Sequence, residues 1–425
     1  MIDINLIREK PEYVKEALKK KLWDVDFAEF LSWDNQKREL MRIVENNKAE
    51  MNKLSASVPM AKKAGQDVSV IFKQVKEIAA KNASYEEQLK QLDAKIHDFI
   101  IALPNIPDDD LLGGGKENNK VIKVVGQKPE FSFKFKNHVE LAESLGLVDY
   151  ERGAKIAGHG AWVYTNLGAR LEWALLNFFI SEHLKDGYQF ILPPHLLNEE
   201  SGYVAGQFPK FKEDVFWLEG LEPQRFLLPT AETALVNFHR NEILDENELP
   251  KKYFAYTPCY RREAGSYRTE ERGMIRGYQF DKVEMVQYTL PEDSDKAFEE
   301  LVNKAASLVE KLGLHFQISK LAAGDISHSM ARTYDIEVYL PSIGIYKEVS
   351  SASNARDYQA RRGMVRFKTK DGRKGYVHTL NASGLATSRI FPAILEQYQQ
   401  EDGSVLIPEV LQPFMGGIKK LNPIK

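Results

Sequence analysis

Two stretches in the first hundred residues place mostly apolar side chains at alternating steps of four and three. The first runs through Trp33, Lys37, Leu40, Val44, Asn47, Met51, Leu54, Val58 and Ala61. The second runs through Ile71, Val75, Ile78, Asn82, Tyr85, Leu89, Leu92, Ile96 and Phe99. A repeat sustained for that long predicts two helices wound together as a coiled coil. Ala64-Gly65-Gln66-Asp67 between them reads as a helix stop and restart, so the pair should fold back as an antiparallel hairpin. Folding there sets Met51 opposite Asn82 and Asn47 opposite Tyr85. The two core asparagines then fall in adjacent layers, where they are expected to touch and to fix register at some cost in stability. At about 1.5 Å per residue the arm reaches on the order of 50 Å. Pro59, near its tip, is expected to kink or weaken the first helix.

The pattern changes after Leu103. Leu103-Pro104-Asn105-Ile106-Pro107, three aspartates and Gly113 to Gly115 read as a helix end and a flexible boundary. Gly168 to Leu184 reads as a helix that is apolar around much of its circumference, hence buried on more than one side. Tyr188 to Leu192 reads as a strand ending in Pro193-Pro194. From Ile275 to Tyr288 the period is two, which puts Arg276, Tyr278, Phe280, Lys282 and Glu284 on one face of a strand. Arg261 and Glu263 share a face of the incoming segment in the same way.

Composition narrows the setting. The 425 residues allow two or three domains, and no apolar run approaches the roughly 20 residues that span a bilayer. The start, MIDINLIREKPEYVKEALKK, has no signal-peptide core, and the single cysteine, Cys259, rules out an internal disulfide or a thiolate metal cluster. A cytoplasmic protein without membrane contact is expected. A net charge of −3 excludes a globally basic nucleic-acid binder, so any RNA contact must be local. Between Lys48 and Lys81 seven lysines (48, 53, 62, 63, 73, 76 and 81) face only Glu50, Asp67 and Glu77. A positive arm tip suits a phosphate backbone, although a solvated helix face carries the same run.

The chemistry concentrates in Cys259 to Tyr288. A strand face with arginines, an aromatic and carboxylates is costly to bury unless something charged lies on it. Guanidinium for a phosphate, a ring for a base and a carboxylate for an amine or hydroxyl would together suit a nucleotide. A surface hairpin laced with salt bridges has the same pattern. Leu228-Pro229-Thr230-Ala231-Glu232 reads as a threonine cap at a helix start. Glu348-Val349-Ser350-Ser351 offers the hard oxygens that suit magnesium, or simply ends a strand. Thr379 to Arg389 opens a helix. A cap explains Ser383, but Arg389 near a helix N-terminus opposes the dipole and suits a bound anion.

These segments together resemble the class II aminoacyl-tRNA synthetases in their bacterial seryl form, over nearly the whole chain. The R-x-E and R-x-x-x-F-x-x-x-E runs match motif 2, the helix, strand and proline near 168–194 match motif 1, and the run ending in Arg389 matches motif 3. The resemblance implies an α+β fold: a catalytic domain on an antiparallel sheet over 121–425, a linker over 104–120, and an N-terminal tRNA-binding domain over 1–103 carrying the helical arm. It implies ATP and Mg2+, L-serine and tRNA(Ser) as ligands, with tRNA(Sec) left open, and a homodimer through motif 1. Arg261 would meet the α-phosphate and the serine carboxylate, Arg276 the triphosphate tail and Arg389 the terminal phosphate. Arg262 and Glu263 would join the ATP site, Glu263 at the adenine edge and Phe280 on the adenine face. Thr230, Ala231 and Glu232 would hold the amino group of serine, while Glu284, Asn381 and Ser383 receive its side chain. Glu348, Val349, Ser350 and Ser351 would line the ATP site, with Glu348 and Ser351 as metal ligands. Lys48, Lys53, Lys62, Lys63, Lys73 and Lys76 would meet the tRNA, and the loop Ser266 to Arg272 would reach over ATP and the acceptor end. Ala382 and Ser388 stand where glycines usually flank motif 3. A ligase that loads an amino acid onto a carrier protein would lack the arm, and a non-catalytic RNA-binding relative would have lost the three arginines.

Overall fold

The computed structural model describes residues 1–263 and 273–424. The chain forms two units, one of residues 2–16 and 24–103, the other of Met1, 17–23 and 104–425.

In the first unit, α1 (Ala28–Lys63) and α2 (Ser69–Ala102) form the expected antiparallel hairpin. All eighteen positions of the two heptad stripes are shielded, while most of the positions between them are exposed. Asn47 Nδ2 donates to Asn82 Oδ1 at 2.7 Å, so the two core asparagines do meet. Lys37–Asp93 and Lys48–Glu86 ion pairs bridge the same two helices at their flanks. Pro59 does not end α1, which continues to Lys63. At the base, Phe27, Phe30, Trp33 and Phe99 form a ring cluster. Arg8 from the N-terminal segment grips the buried Asp34 through two bonds of 2.8 and 2.6 Å. That bidentate contact holds the Asp34 carboxyl below its usual range.

The second unit is built on an eight-stranded sheet. In chain order its strands are β1 (Lys120–Val125), β2 (Gln189–Ile191), β3 (Lys251–Tyr260), β4 (Gln279–Thr289), β5 (Phe316–Lys320), β6 (Arg332–Leu340), β7 (Ile345–Asn354) and β8 (His378–Ala386). Their spatial order is β1-β5-β6-β7-β8-β4-β3-β2, and every pairing is antiparallel except β2 with β3. The α+β expectation therefore holds. Helices α3 (Asn166–Lys185), α5 (Ser294–Lys311) and α6 (Thr387–Gln397) supply apolar side chains to the largest core, which takes Val283 and Met285 from β4, Ile336 and Val338 from β6, and Leu380 and Ala382 from β8. A short helix, α4 (Glu232–Leu235), lies in a second core with Val286 and Tyr288.

The stretch 104–120 departs from the flexible linker expected of it. Asn105 donates to the carbonyls of Ser329 and Ala355, and Asp108 accepts from both Arg332 and Arg356. Polar side chains there are spent on the body of the unit rather than on solvent. Among the described residues no helix is long and apolar enough to cross a membrane.

Candidate active site

Strand alternation makes the floor of the site. Val283 and Met285 of β4 face the helix-covered core, so Phe280, Lys282 and Glu284 must face the other way. On β8 the same rule sends Leu380 and Ala382 inward and leaves Asn381 and Ser383 beside Glu284, with Ser383 directly paired to it. Asp335 of β6 lies opposite Ser351 of β7. Further along β4 this polar face turns apolar: Val286 and Tyr288 pack with Ala231 and Leu235 and close one end.

A cleft opens over this floor. Arg261, Glu263, Arg276, Phe280, Glu348 and Arg389 line it, together with Lys282, Ser383 and Ser388. Three arginines from three separate segments thus converge, with Lys282 beside them. Arg261 donates to the Pro229 carbonyl at 3.2 Å, and its guanidinium sits 5.1 Å over the ring of Phe280. A base entering the cleft must displace it or take the opposite face of the ring. Glu263, at φ +50°, forms an ion pair with Arg276. Arg389 donates to the Glu348 carbonyl at 2.6 Å and lies 3.5 Å from its carboxylate. Burial works against the charge on Glu348, but Arg389 and Arg261 outweigh it and hold its carboxyl below the usual range. The Ser351 hydroxyl lies 3.1 Å from Glu348 and 2.6 Å from Asp335, whose carboxyl is pushed well up by burial and by Glu348.

At the closed end lies a buried polar cluster. Glu284 is 1 % exposed, and it accepts from Asn381 Nδ2 at 3.1 Å and Ser383 Oγ at 3.3 Å. Lys282 forms an ion pair with the same carboxylate and donates to Thr230 Oγ1 at 2.8 Å. Thr230 also accepts from the Glu232 backbone N–H at 3.3 Å, but Ala231 stands at the start of α4 and no side chain caps it, so Thr230 is not the helix cap expected of it. Glu232 is buried, and burial followed by the nearby Glu284 raises its carboxyl to about 7. Gln359 holds it at 2.7 Å while accepting from Thr379 at 2.6 Å.

Several expectations need correction. Arg276 does not reach the cleft by strand parity, because residues 273–275 form a turn and β4 begins only at Gln279. Tyr278, placed by that parity on the same face, packs edge-on against Phe216. Arg262 reaches the Glu213 carbonyl at 3.0 Å, and it is not among the cleft-lining residues. Ser350 is fully buried and donates to the Ser383 carbonyl at 2.7 Å, which ties β7 to β8. Ala231 is buried in an apolar core, so only its backbone remains to serve a ligand, whereas Val349, buried too, lines the cleft. Ser383 lies within β8 and caps no helix. The loop Ser266 to Arg272 lies outside the described residues.

Lys282, Gln359 and Asp335 received no role from the sequence. Alternation along β4 already put Lys282 on the site face, and that signal was sufficient to find it. Gln359 comes from the helix Tyr358–Gly363, outside every motif, and nothing local marks it.

Two family models match the chain: a seryl-tRNA synthetase N-terminal domain over residues 1–107, and a class II tRNA synthetase core domain (G, H, P, S and T) over 216–398. A serine–tRNA ligase 2 of Clostridium acetobutylicum is 60% identical over 98% of this chain and 99% of its own. The chain belongs to the seryl-tRNA synthetase family. The serine–tRNA ligase of Thermodesulfovibrio yellowstonii is 44% identical over 98% of this chain and 99% of its own. Among solved structures, the seryl-tRNA synthetase of Pyrococcus horikoshii complexed with ATP superposes with a TM-score of 0.92 at 33% identity, covering 100% of both chains. In this seryl-tRNA synthetase family member the lysines 48, 53, 62, 63, 73 and 76 are all exposed on the arm.

Proposed function

We propose that the chain activates L-serine with ATP to give seryl-adenylate and pyrophosphate, then passes the seryl group to the 3′ end of tRNA(Ser). One observation carries this reading: a cleft lined by three converging arginines adjoins, through Lys282 and Ser383, a buried polar cluster built on Glu284. The first step needs no general base, because the serine carboxylate is itself the nucleophile. It needs alignment and neutralisation of developing charge, which fixed guanidinium groups supply without reorganising. Arg261 meets the α-phosphate and serine carboxylate, Arg276 and Arg389 the rest of the triphosphate, and Phe280 the base. The ion pairs Arg276–Glu263 and Arg389–Glu348 keep these cations compensated until phosphates arrive.

Glu348 and Ser351 fit a magnesium ion. A carboxylate and a hydroxyl 3.1 Å apart are two hard donors, and Mg2+ is commonly held by one or two such groups with substrate phosphates completing its shell. Bound there, the ion would supply further neutralisation of the triphosphate. Asp335, raised by burial and by Glu348, sits behind Ser351 and accepts from its hydroxyl.

In the pocket, Thr230 and Glu232 take the serine ammonium, while Glu284, Asn381 and Ser383 take its hydroxyl. Exposed Trp173 and Leu184 on α3, with Phe190 and Leu192 at the outer end of the sheet, support a homodimer through motif 1. The exposed lysines of the arm support electrostatic contact with the tRNA backbone. A cytoplasmic location follows from these substrates, and tRNA(Sec) remains a second RNA to test. Glu284→Ala should raise the serine KM far more than the ATP KM in pyrophosphate exchange. Equal loss of both would count against the pocket.

A further inference from the structure

Lys282 is the cation that the mechanism does not use. It is 6 % exposed, it lies on the floor strand between Phe280 and Glu284, and its ammonium bridges two parts of the pocket, the Glu284 carboxylate and Thr230 Oγ1. A buried ammonium is costly unless its partners are well placed, so its presence calls for a reason.

The bonding capacities of its neighbours supply one. A carboxylate offers about four acceptor positions. On Glu284, Asn381 takes one on Oε1, and Ser383 and Lys282 take two on Oε2. One position remains on Oε1, which is the capacity needed to accept a single hydroxyl. A threonine hydroxyl accepts at two positions. On Thr230 these are taken by the Glu232 N–H at 3.3 Å and by Lys282 at 2.8 Å. A substrate ammonium arriving at Thr230 must displace one of these donors, and Lys282, on a flexible side chain rather than the backbone, is the one with a second partner to move to, the Glu284 carboxylate.

We infer that Lys282 is a positioning residue that couples the two ends of the substrate: when the substrate ammonium claims Thr230, Lys282 settles fully on Glu284 and fixes its free acceptor for the side-chain hydroxyl. This rests on the serine-activation reading above and adds a specificity-determining role to it. Without Lys282, Glu284 keeps only its two neutral donors, faces the second buried carboxylate of Glu232 uncompensated, and can turn within the pocket. A hydroxyl reader that turns discriminates poorly, because rejection of an analogue lacking the hydroxyl depends on a fixed polar group being left unpaired.

The test is ATP–pyrophosphate exchange with serine and with alanine, run on the full chain, on Lys282→Met and Lys282→Gln, and on Lys282→Arg as the charge-retaining variant. The uncharged variants should lose tenfold or more of the serine-over-alanine ratio in kcat/KM while the ATP KM stays within twofold. The arginine variant should recover most of that ratio. Two uncharged residues of different polarity are used so that misfolding of one, seen by thermal melting, leaves the other to decide. A serine-over-alanine ratio unchanged within threefold in a folded variant would overturn the role of Lys282 alone. An ATP KM that rises as much as the serine KM would overturn it too, by showing general damage to the cleft. No serine-dependent exchange in the unaltered chain would overturn the function reading itself, and this inference with it.

Discussion

The Asn47–Asn82 contact offers a perturbation whose sizes can be worked from the structure. Asn82 is 5 % exposed, while Asn47 is only half-buried, and the bond runs from Asn47 Nδ2 to Asn82 Oδ1. Asn47→Leu therefore strands a carbonyl that water reaches poorly, at a cost of about 1–3 kcal/mol. Asn82→Leu strands an amide closer to solvent, and the apolar gain at a buried position offsets part of the loss, so the cost should stay under about 1 kcal/mol. Replacing both removes the polar pair and lets leucine pack on leucine in adjacent layers, which should restore or exceed the original stability. The predicted cycle is strongly non-additive, with a coupling of about 1–3 kcal/mol. Because the chain has two units, whole-molecule melting is a poor readout, and amide hydrogen exchange along α1 and α2 is the suitable one. Register freedom in the doubly substituted arm should lower aminoacylation of tRNA and leave pyrophosphate exchange untouched. Two equal single losses that simply add in the double variant would refute this account of the pair.

Three further outcomes follow from the site and the arm. Arg261 is exposed and its side chain is bonded only to the Pro229 carbonyl and the face of Phe280 among the described residues, so Arg261→Ala should change stability by less than about 0.5 kcal/mol. Its exchange rate should nevertheless fall a hundredfold or more, about 3 kcal/mol of transition-state stabilisation, and a loss below tenfold would refute the assignment. Glu232, raised to about 7 by burial and by Glu284, must be ionised to hold an ammonium, so kcat/KM for serine should rise as pH rises through about 7 while the ATP KM shows no such limb. The sign for stability is opposite: a carboxyl with a raised folded-state pKa contributes stability below its unfolded value, and that contribution is lost as pH rises through about 7. Glu232→Gln should remove both effects, and a serine limb that survives it would assign the titration elsewhere. Replacing Lys62, Lys63 and Lys73 with alanine should weaken tRNA binding and flatten its salt dependence by about 0.7–0.9 for each phosphate that is no longer neutralised, with exchange unchanged.

The sequence disclosed most where a single period governs the local structure. The heptads of the arm read directly onto α1 and α2, down to the meeting of Asn47 with Asn82, because a coiled-coil seam is fixed by spacing alone. Alternation placed Phe280, Lys282 and Glu284 on one face for the same reason. It failed at Tyr278 and Arg276, where a turn precedes the strand and parity no longer applies. Arg262 and Ser350 were legible only as neighbours of site residues, and the structure spends both on holding backbone in place. The polar linker residues Asn105 and Asp108 could not be read as anchors, since their partners lie more than two hundred residues away. Gln359 has the same excuse, as its bonds to Glu232 and Thr379 join three distant segments. Contacts set by tertiary assembly leave no period in the chain.

Serine-dependent exchange of pyrophosphate into ATP, measured beside alanine and threonine at equal concentration, tests the central claim most directly. A pocket that reads a hydroxyl at Glu284 and an ammonium at Thr230 and Glu232 predicts vigorous exchange with serine, alanine lower by at least a hundredfold in kcat/KM, and threonine excluded by the small volume. Exchange that is absent with serine, or equal for serine and alanine, would contradict it.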